Sequence, residues 1–227
     1  MEKKLIKDIL QWDVKSWSKA LDYWENNMDW NIIENGLELG AREGGLTLWL
    51  ALKGKKMVCS DLKDVQKTAE PIHNQYGIKN LIVYEDMDGT HIPYENYFDI
   101  IVFKSIVGGI GSNNNLEKQQ QLFKEIYKAL KPGGKLLLAE NLIASPIHQI
   151  LRKKHIQWGN RWRYVSLKEM ESFLREFSSY RLKTTGVIAT FGRSEKQRAF
   201  LSVFDKILFN LICPQSWNYI VYGIAEK

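Results

Sequence analysis

The chain has 227 residues, 44% of them hydrophobic and 26% charged, with a net charge of +6. These are the proportions of a soluble globular protein, long enough for one domain with a large core, and the mild positive charge permits an acidic partner without demanding one. Two distant cysteines, Cys59 and Cys213, exclude a disulfide framework and a zinc cluster, so metal-free chemistry is expected.

Residues 1 to 30 read as helical, with tryptophans at 12, 17, 24 and 30. Trp17, Leu21 and Trp24 share one face, and Asp13 is placed to cap a helix from Val14 to Asn26. This segment either packs on the domain or lies over a ligand as a lid, where aromatic faces suit a cation. Asn35 to Leu39 is a short buried strand. Gly40, Gly44 and Gly45 then permit a sharp turn into a helix whose apolar face is built from Leu46, Leu48, Trp49, Leu50 and Leu52. Strand, glycine turn and helix together make a nucleotide-binding geometry. The dinucleotide fingerprint needs glycine at position 42, where Arg42 stands. Glu38 and Glu43 would also repel a pyrophosphate, by about 1 to 4 kcal/mol at close range. A ligand carrying positive charge meets no such cost.

The stretch resembles motif I of the class I S-adenosylmethionine-dependent methyltransferases, acid-x-Gly-x-Gly-x-Gly. Glu38, Gly40 and Gly44 match it, and Arg42 replaces the middle glycine. The resemblance implies that Glu38, Gly40, Ala41, Arg42 and Gly44 border S-adenosylmethionine.

Lys56 to Ser60 is a second strand ending at Asp61, 21 residues after Gly40. An acid there can accept hydrogen bonds from both ribose hydroxyls, with Leu62 beside it. A helix from Asp64 to Tyr76, carrying Pro71 and ended by Gly77, leads to a third strand, Leu81 to Tyr84. In the resembling family an acid after this strand binds the adenine amino group and an apolar neighbour lies on the ring, which points to Asp86 and Met87. Phe98 to Phe103 is a nearly continuous apolar fourth strand. Lys104 and Ser105 stand at its carboxyl end, the ligand-binding edge of an open α/β sheet, and join the expected cofactor contacts. The lack of an Asn/Asp-Pro-Pro-Tyr signature there speaks against the amino-methylating DNA enzymes. Gly108, Gly109 and Gly111 make a loop suited to border a substrate. After a helix from Leu116 to Leu130, the string Leu130-Lys-Pro-Gly-Gly-Lys-Leu-Leu-Leu138 matches the post-motif segment of the family, and Lys135 to Glu140 is a fifth strand.

Residues 141 to 165 contain His148, His155, Trp158 and Trp162 among Arg152, Lys153, Lys154, Arg161 and Arg163. Tryptophans among basic groups suit a sugar ring, an anionic small molecule or a nucleotide. Ser166 and Glu169 form a capping box for a helix from Leu167 to Phe177. Leu182 to Phe191 and Trp217 to Ala225 read as sixth and seventh strands. Between them, in 192–216, Phe200, Leu201, Phe204, Ile207, Leu208 and Leu211 recur at helical spacing. That face packs on the sheet, on a second subunit, or on a membrane surface through 196–212.

The expected fold is α/β: a doubly wound, seven-stranded, mainly parallel Rossmann-like sheet with its last strand antiparallel and helices on both faces. Residues 1–227 are read as one domain, with a helical lid at 1–30, a substrate-side insert at 141–165 and a helical insert at 192–216. The expected function is S-adenosylmethionine-dependent methylation of a small molecule, by in-line transfer to an oxygen of a sugar or other metabolite. His148 or His155 would remove the acceptor's proton, His148 preferred for its nearness to the fifth strand. The alternatives are an RNA or DNA methyltransferase, for which the basic surface is small, and a binding protein without turnover. No apolar run reaches the ~20 residues that cross a bilayer, and residues 1–8 lack a signal core, so a cytoplasmic location is expected. Oligomeric state is not legible.

Overall fold

The chain opens with two helices, α1 (Lys3–Leu10) and α2 (Val14–Asn27). Strands and helices then alternate: β1 (Asn35–Leu39), α3 (Gly45–Ala51), β2 (Lys56–Asp61), α4 (Val65–Gln75), β3 (Ile82–Asp86) and β4 (Phe98–Lys104). A single helical turn, α5 (Val107–Ile110), precedes α6 (Leu116–Ala129) and β5 (Leu130–Asn141). The last third holds α7 (Pro146–His155), α8 (Leu167–Phe173), β6 (Ser179–Thr185), α9 (Glu195–Phe204) and β7 (Ile220–Glu226). This computed structural model describes residues 2–155, 161–205, 207 and 213–227, with 153–155 as backbone only.

The seven strands form one sheet in the order β3-β2-β1-β4-β5-β7-β6. The first five are parallel, and β7 runs antiparallel to both β5 and β6. This is the doubly wound sheet with an antiparallel last strand that the alternation of elements led us to expect. Period-two alternation divides the core between the two faces. Along β4, Ile100 and Val102 join the cluster under the first four helices, with Trp17, Trp24 and Leu48. Ile101 and Phe103 face the other way, onto Phe123, Ile126 and Phe173 of α6 and α8. Both faces being covered explains why β4 reads as continuous apolar sequence.

Three local expectations change. The sixth strand is Ser179–Thr185 rather than Leu182 to Phe191, because Gly186 turns the chain at φ +79°. Residues beyond it coil into a short 3₁₀ turn, Ala189–Phe191, whose approach is held by Asp205 accepting the N–H groups of Ile188 (2.8 Å) and Ala189 (3.1 Å). Asp13 does stand before α2, but in the left-handed conformation (φ +44°) and without a side-chain cap bond. The helix before β6 is shorter than expected, ending at Phe173, although its Ser166–Glu169 capping box is fully formed.

Candidate active site

The turn after β1 is tied down from three sides. The Ala41 N–H donates to the Ser60 carbonyl (2.8 Å), and the Arg42 N–H to Asp61 Oδ2 (2.8 Å). Glu38, buried in β1, accepts from the N–H groups of Leu46 (3.2 Å) and Thr47 (2.6 Å) at the start of α3. A carboxylate there satisfies orphan donors and meets the positive end of the helix. Burial nevertheless pushes its pKa up to about 7. Gly44 sits at φ +72°, and a Cβ on it would fall 2.5 Å from His73 Cε1. His73 itself bridges the Gly44 carbonyl (2.9 Å) and the Tyr84 hydroxyl (2.9 Å), so it braces the turn from below.

A second tied loop follows β4. Buried Glu140 accepts from the N–H groups of Ile106 (2.8 Å), Val107 (2.7 Å) and Asn141 (2.8 Å), and burial raises its pKa to about 7. Asn141 Nδ2 donates to Ser105 Oγ (2.6 Å). Lys104 lies between them, its Nζ 5.0 Å from the Trp12 ring centroid and 5.2 Å from that of Trp17. Burial, with Arg42 adding to it, pulls the Lys104 ammonium down to about 8 against the opposing pull of Glu38, Glu140 and Asp13.

Between these two loops opens a cavity of about 1090 Å³. It lies at the carboxyl ends of β1, β2 and β4, where an open parallel sheet offers its crevice. Of the residues singled out in the sequence, Glu38, Gly40, Ala41, Arg42, Asp61, Leu62, Met87, Lys104 and Ser105 line it. Gly44 does not; its role is the turn. Asp86 is a correction. Its two oxygens accept the N–H groups of Asp64 (2.9 Å) and Val65 (3.0 Å), capping α4 outside the cavity. Asp88, two residues on, lines the cavity instead. Its Oδ1 holds Thr90, and its Oδ2 has no hydrogen-bond partner among the described residues.

His148 is the larger correction. It is 1% exposed, with Nδ1 2.6 Å from Ser145 Oγ and its ring packed on Phe191 and Tyr219, and it does not line the cavity. Burial and the charge of Arg152 hold its pKa down at about 4. The His155 side chain lies outside the described residues. The far wall is made by Arg152, Trp162 and Tyr164 from the segment after β5, and the roof by Ile9, Gln11 and Trp12. Trp162 belongs to the expected substrate-side segment and Trp12 to the expected lid. Asn141 and Arg198 also reach the cavity, and no sequence signal marks either.

The cavity's chemistry fits S-adenosylmethionine. Asp61 Oδ1 and Oδ2 each accept one backbone N–H, from Leu62 (2.7 Å) and Arg42, and each keeps a lone pair for a ribose hydroxyl. Asp88 offers an acceptor to an amino group, and Lys104 an ammonium with no hydrogen bond to any described carboxylate. Sheet order, glycine turn and acid-lined crevice define the class I Rossmann-like methyltransferase fold.

Residues 37–138 match the family model described as a methyltransferase domain. The chain is 31% identical over 156 residues to the ubiquinone/menaquinone biosynthesis C-methyltransferase UbiE of Wigglesworthia glossinidia brevipalpis, covering 66% of this chain and 58% of that one. The counterpart of Shewanella sp. (strain W3-18-1) is 33% identical over 122 residues, 52% of this chain and 45% of its own. The chain thus spans about half the length of these curated relatives. Among solved structures, Haemonchus contortus phosphoethanolamine N-methyltransferase 2 in complex with S-adenosyl-L-methionine superposes with a TM-score of 0.67 at 18% identity, over 98% of this chain and 56% of that one. The match to a methyltransferase domain thus falls on residues 37–138, within a sheet that has the class I methyltransferase fold.

Proposed function

We propose that the protein transfers a methyl group from S-adenosylmethionine to a small molecule held in the same cavity. The observation that carries this reading is the continuity of the crevice, which runs without a break from Asp61 and Asp88 to Trp162 and Tyr164. Its volume of about 1090 Å³ lies just above the ~300–1,000 Å³ usual for small-ligand sites and leaves room for cofactor and acceptor together. Asp61 takes the ribose hydroxyls, Asp88 the adenine amino group with Met87 against the ring, and Lys104 the methionyl carboxylate. When bound, the cofactor supplies the methyl group and a sulfur leaving group. The chain's residues then supply position, which lowers such barriers by up to ~7 to 11 kcal/mol.

An oxygen of a sugar or other metabolite is the first reading of the acceptor atom. It is supported by Ser112, Asn113 and Asn115 in the lining and by the flat faces of Trp12 and Trp162. A second reading, transfer to an activated carbon, is favoured by the relatives named as C-methyltransferases. Reaction with ¹³C-methyl-labelled cofactor separates them, since a methoxy carbon and a C-methyl carbon resonate far apart. We read residues 1–227 as one domain, with 1–30 as roof, 141–165 as acceptor wall and 192–216 as an outer helical insert. Among the described residues no helix is long and apolar enough to cross a membrane. A peripheral membrane contact through 196–212 is supported by the exposure of Phe200, Val203, Phe204 and Ile207; residues 206 and 208–212 lie outside the described residues.

The test of the cofactor reading is titration calorimetry with S-adenosylmethionine, S-adenosylhomocysteine and NADH, on wild type and on Asp61→Ala. Binding of the two adenosyl compounds, lost in the variant, supports it. Preference for NADH, or binding of none of the three, sinks it.

A further inference from the structure

Among the described residues no acid pairs with Arg152. Its Nη1 donates to the carbonyls of Leu142 (2.6 Å) and Ile143 (3.1 Å) at the end of β5, and its guanidinium lies 4.0 Å from the Tyr164 ring centroid. That fixes the plane of the group and leaves the Nε–Nη2 edge with no hydrogen-bond partner among the described residues. Two other arginines beside it are paired, Arg163 with Glu169 and Arg198 with Glu195 (2.7 Å). Glu140, whose charge reaches Arg152, is committed to three backbone N–H groups. Burial accordingly pulls the Arg152 guanidinium below its ordinary value. A desolvated charge left unpaired is costly, and a ligand carrying the opposite charge removes that cost.

The cofactor's carboxylate is not that ligand. Asp61 ends β2 and Lys104 ends β4, two strands away, so the two bracket the cofactor. Arg152 is anchored at the end of β5, one strand farther on and about 14 Å across the sheet from Asp61, at roughly 4.8 Å per strand. Beside Arg152 the wall is flat, apolar and fixed. Trp162 lies on Gly108 and Gly109, and a Cβ on Gly108 would come within 2.9 Å of Trp162 Cε3.

We propose that the methyl acceptor is an anion, whose carboxylate or phosphate is held side-on by Nε and Nη2 of Arg152 and whose planar apolar body lies against Trp162. This rests on the methyltransferase reading of the cavity. Side-on pairing of a guanidinium with two oxygens gives geometric selectivity as well as strength.

The test is calorimetry on the protein saturated with S-adenosylhomocysteine, with benzoate, phenyl phosphate and benzyl alcohol as probes. One or both anions should bind at least about 10-fold more tightly than the alcohol, and the stronger of the two identifies the oxyanion. Arg152→Gln should abolish the preference and Arg152→Lys should keep part of it, while both variants bind S-adenosylhomocysteine within about 2-fold of wild type and so are shown to be folded. Equal binding of acid and alcohol, or a preference that survives Arg152→Gln, overturns this inference alone. Failure of wild type to bind S-adenosylhomocysteine overturns the methyltransferase reading and this inference with it.

Discussion

Glu195 caps α2 from a distance, at Asp13 and Val14. Its two carboxylate oxygens accept the N–H groups of Asp13 (2.8 Å) and Val14 (3.0 Å), from 182 and 181 positions farther along the chain. The Asp13 side chain, the expected cap, has turned inward. Its Oδ2 accepts from the Tyr219 hydroxyl (2.6 Å), and burial raises its pKa to about 6. A contact between α9 and the α1–α2 corner therefore holds Trp12 and Gln11 over the cavity. Removing a capping carboxylate costs about 1 to 2 kcal/mol. Glu195→Ala should lose that much in urea denaturation and should bind S-adenosylhomocysteine several-fold more weakly, because the roof is released. Unchanged stability would mean that water replaces the cap at no cost.

Gly44 carries two separable penalties against a side chain. One is backbone: a non-glycine residue at φ +72° costs about 1 to 2 kcal/mol. The other is steric, mainly from the His73 ring and in smaller part from Ala69 Cβ. Gly44→Ala should destabilise the protein by about 2 to 4 kcal/mol in wild type. In a His73→Ala background the backbone part should remain, together with the smaller clash against Ala69 Cβ, 2.9 Å from the added Cβ. A double-mutant cycle of unfolding free energies reads the difference, and additivity of the two substitutions would show that His73 moves aside freely.

The turn was readable because each of its parts has a local cause. Glycine at 40 and 44, an acid ending β1 and an acid ending β2 are placed by chain connectivity alone, and all fall within residues 38–61. The sheet was readable for the same reason, since buried parallel strands advertise themselves as short apolar runs. What failed depended on contacts between distant segments. Nothing near Asp13 signals that Glu195 will supply its cap. Nothing in the run Leu182 to Phe191 signals that Tyr219 will occupy the space beside Gly186, 2.3 Å from where a Cβ would stand. Histidines after the fifth strand look catalytic by position, yet His148 falls on the inward face of α7 while Arg152, one turn later, reaches the cavity.

Asp86 and Asp88 are two residues apart and do opposite work. Asp86 is exposed and caps α4; Asp88 lines the cavity, and its Oδ2 has no hydrogen-bond partner among the described residues. Asp86→Ala should lower stability by about 1 kcal/mol and leave S-adenosylhomocysteine affinity within about 2-fold. Asp88→Ala should weaken that affinity by about 10-fold, the worth of one hydrogen bond to a charged group, with little change in stability. The reverse pattern, read by calorimetry and urea denaturation, would return the adenine contact to Asp86.

His148 makes the protein acid-sensitive in a window that can be isolated. Its pKa is about 4 in the folded chain against an ordinary 6.5. Between those values the unfolded chain binds a proton that the folded chain does not, so the stability it contributes is complete above pH 6.5 and falls as pH drops toward 4. At pH 4.5 the loss amounts to about 2.5 kcal/mol. Glu38 and Glu140, raised to about 7, act with the opposite sign: the folded chain keeps their protons longer, and stability rises as pH falls from 7 toward 4.5. The wild-type curve therefore mixes both signs, but its difference from His148→Phe does not, since the carboxylates are common to both. Loss of the Ser145 contact is the same at every pH and cancels as well. Between pH 7 and pH 4.5, urea denaturation should show wild type losing about 2.5 kcal/mol more than His148→Phe. S-adenosylhomocysteine affinity at pH 7 should be equal in the two, because the imidazole lies outside the cavity. Parallel pH curves would place a titrating partner on His148 that the packing of Phe191, Tyr219 and Ser145 does not provide.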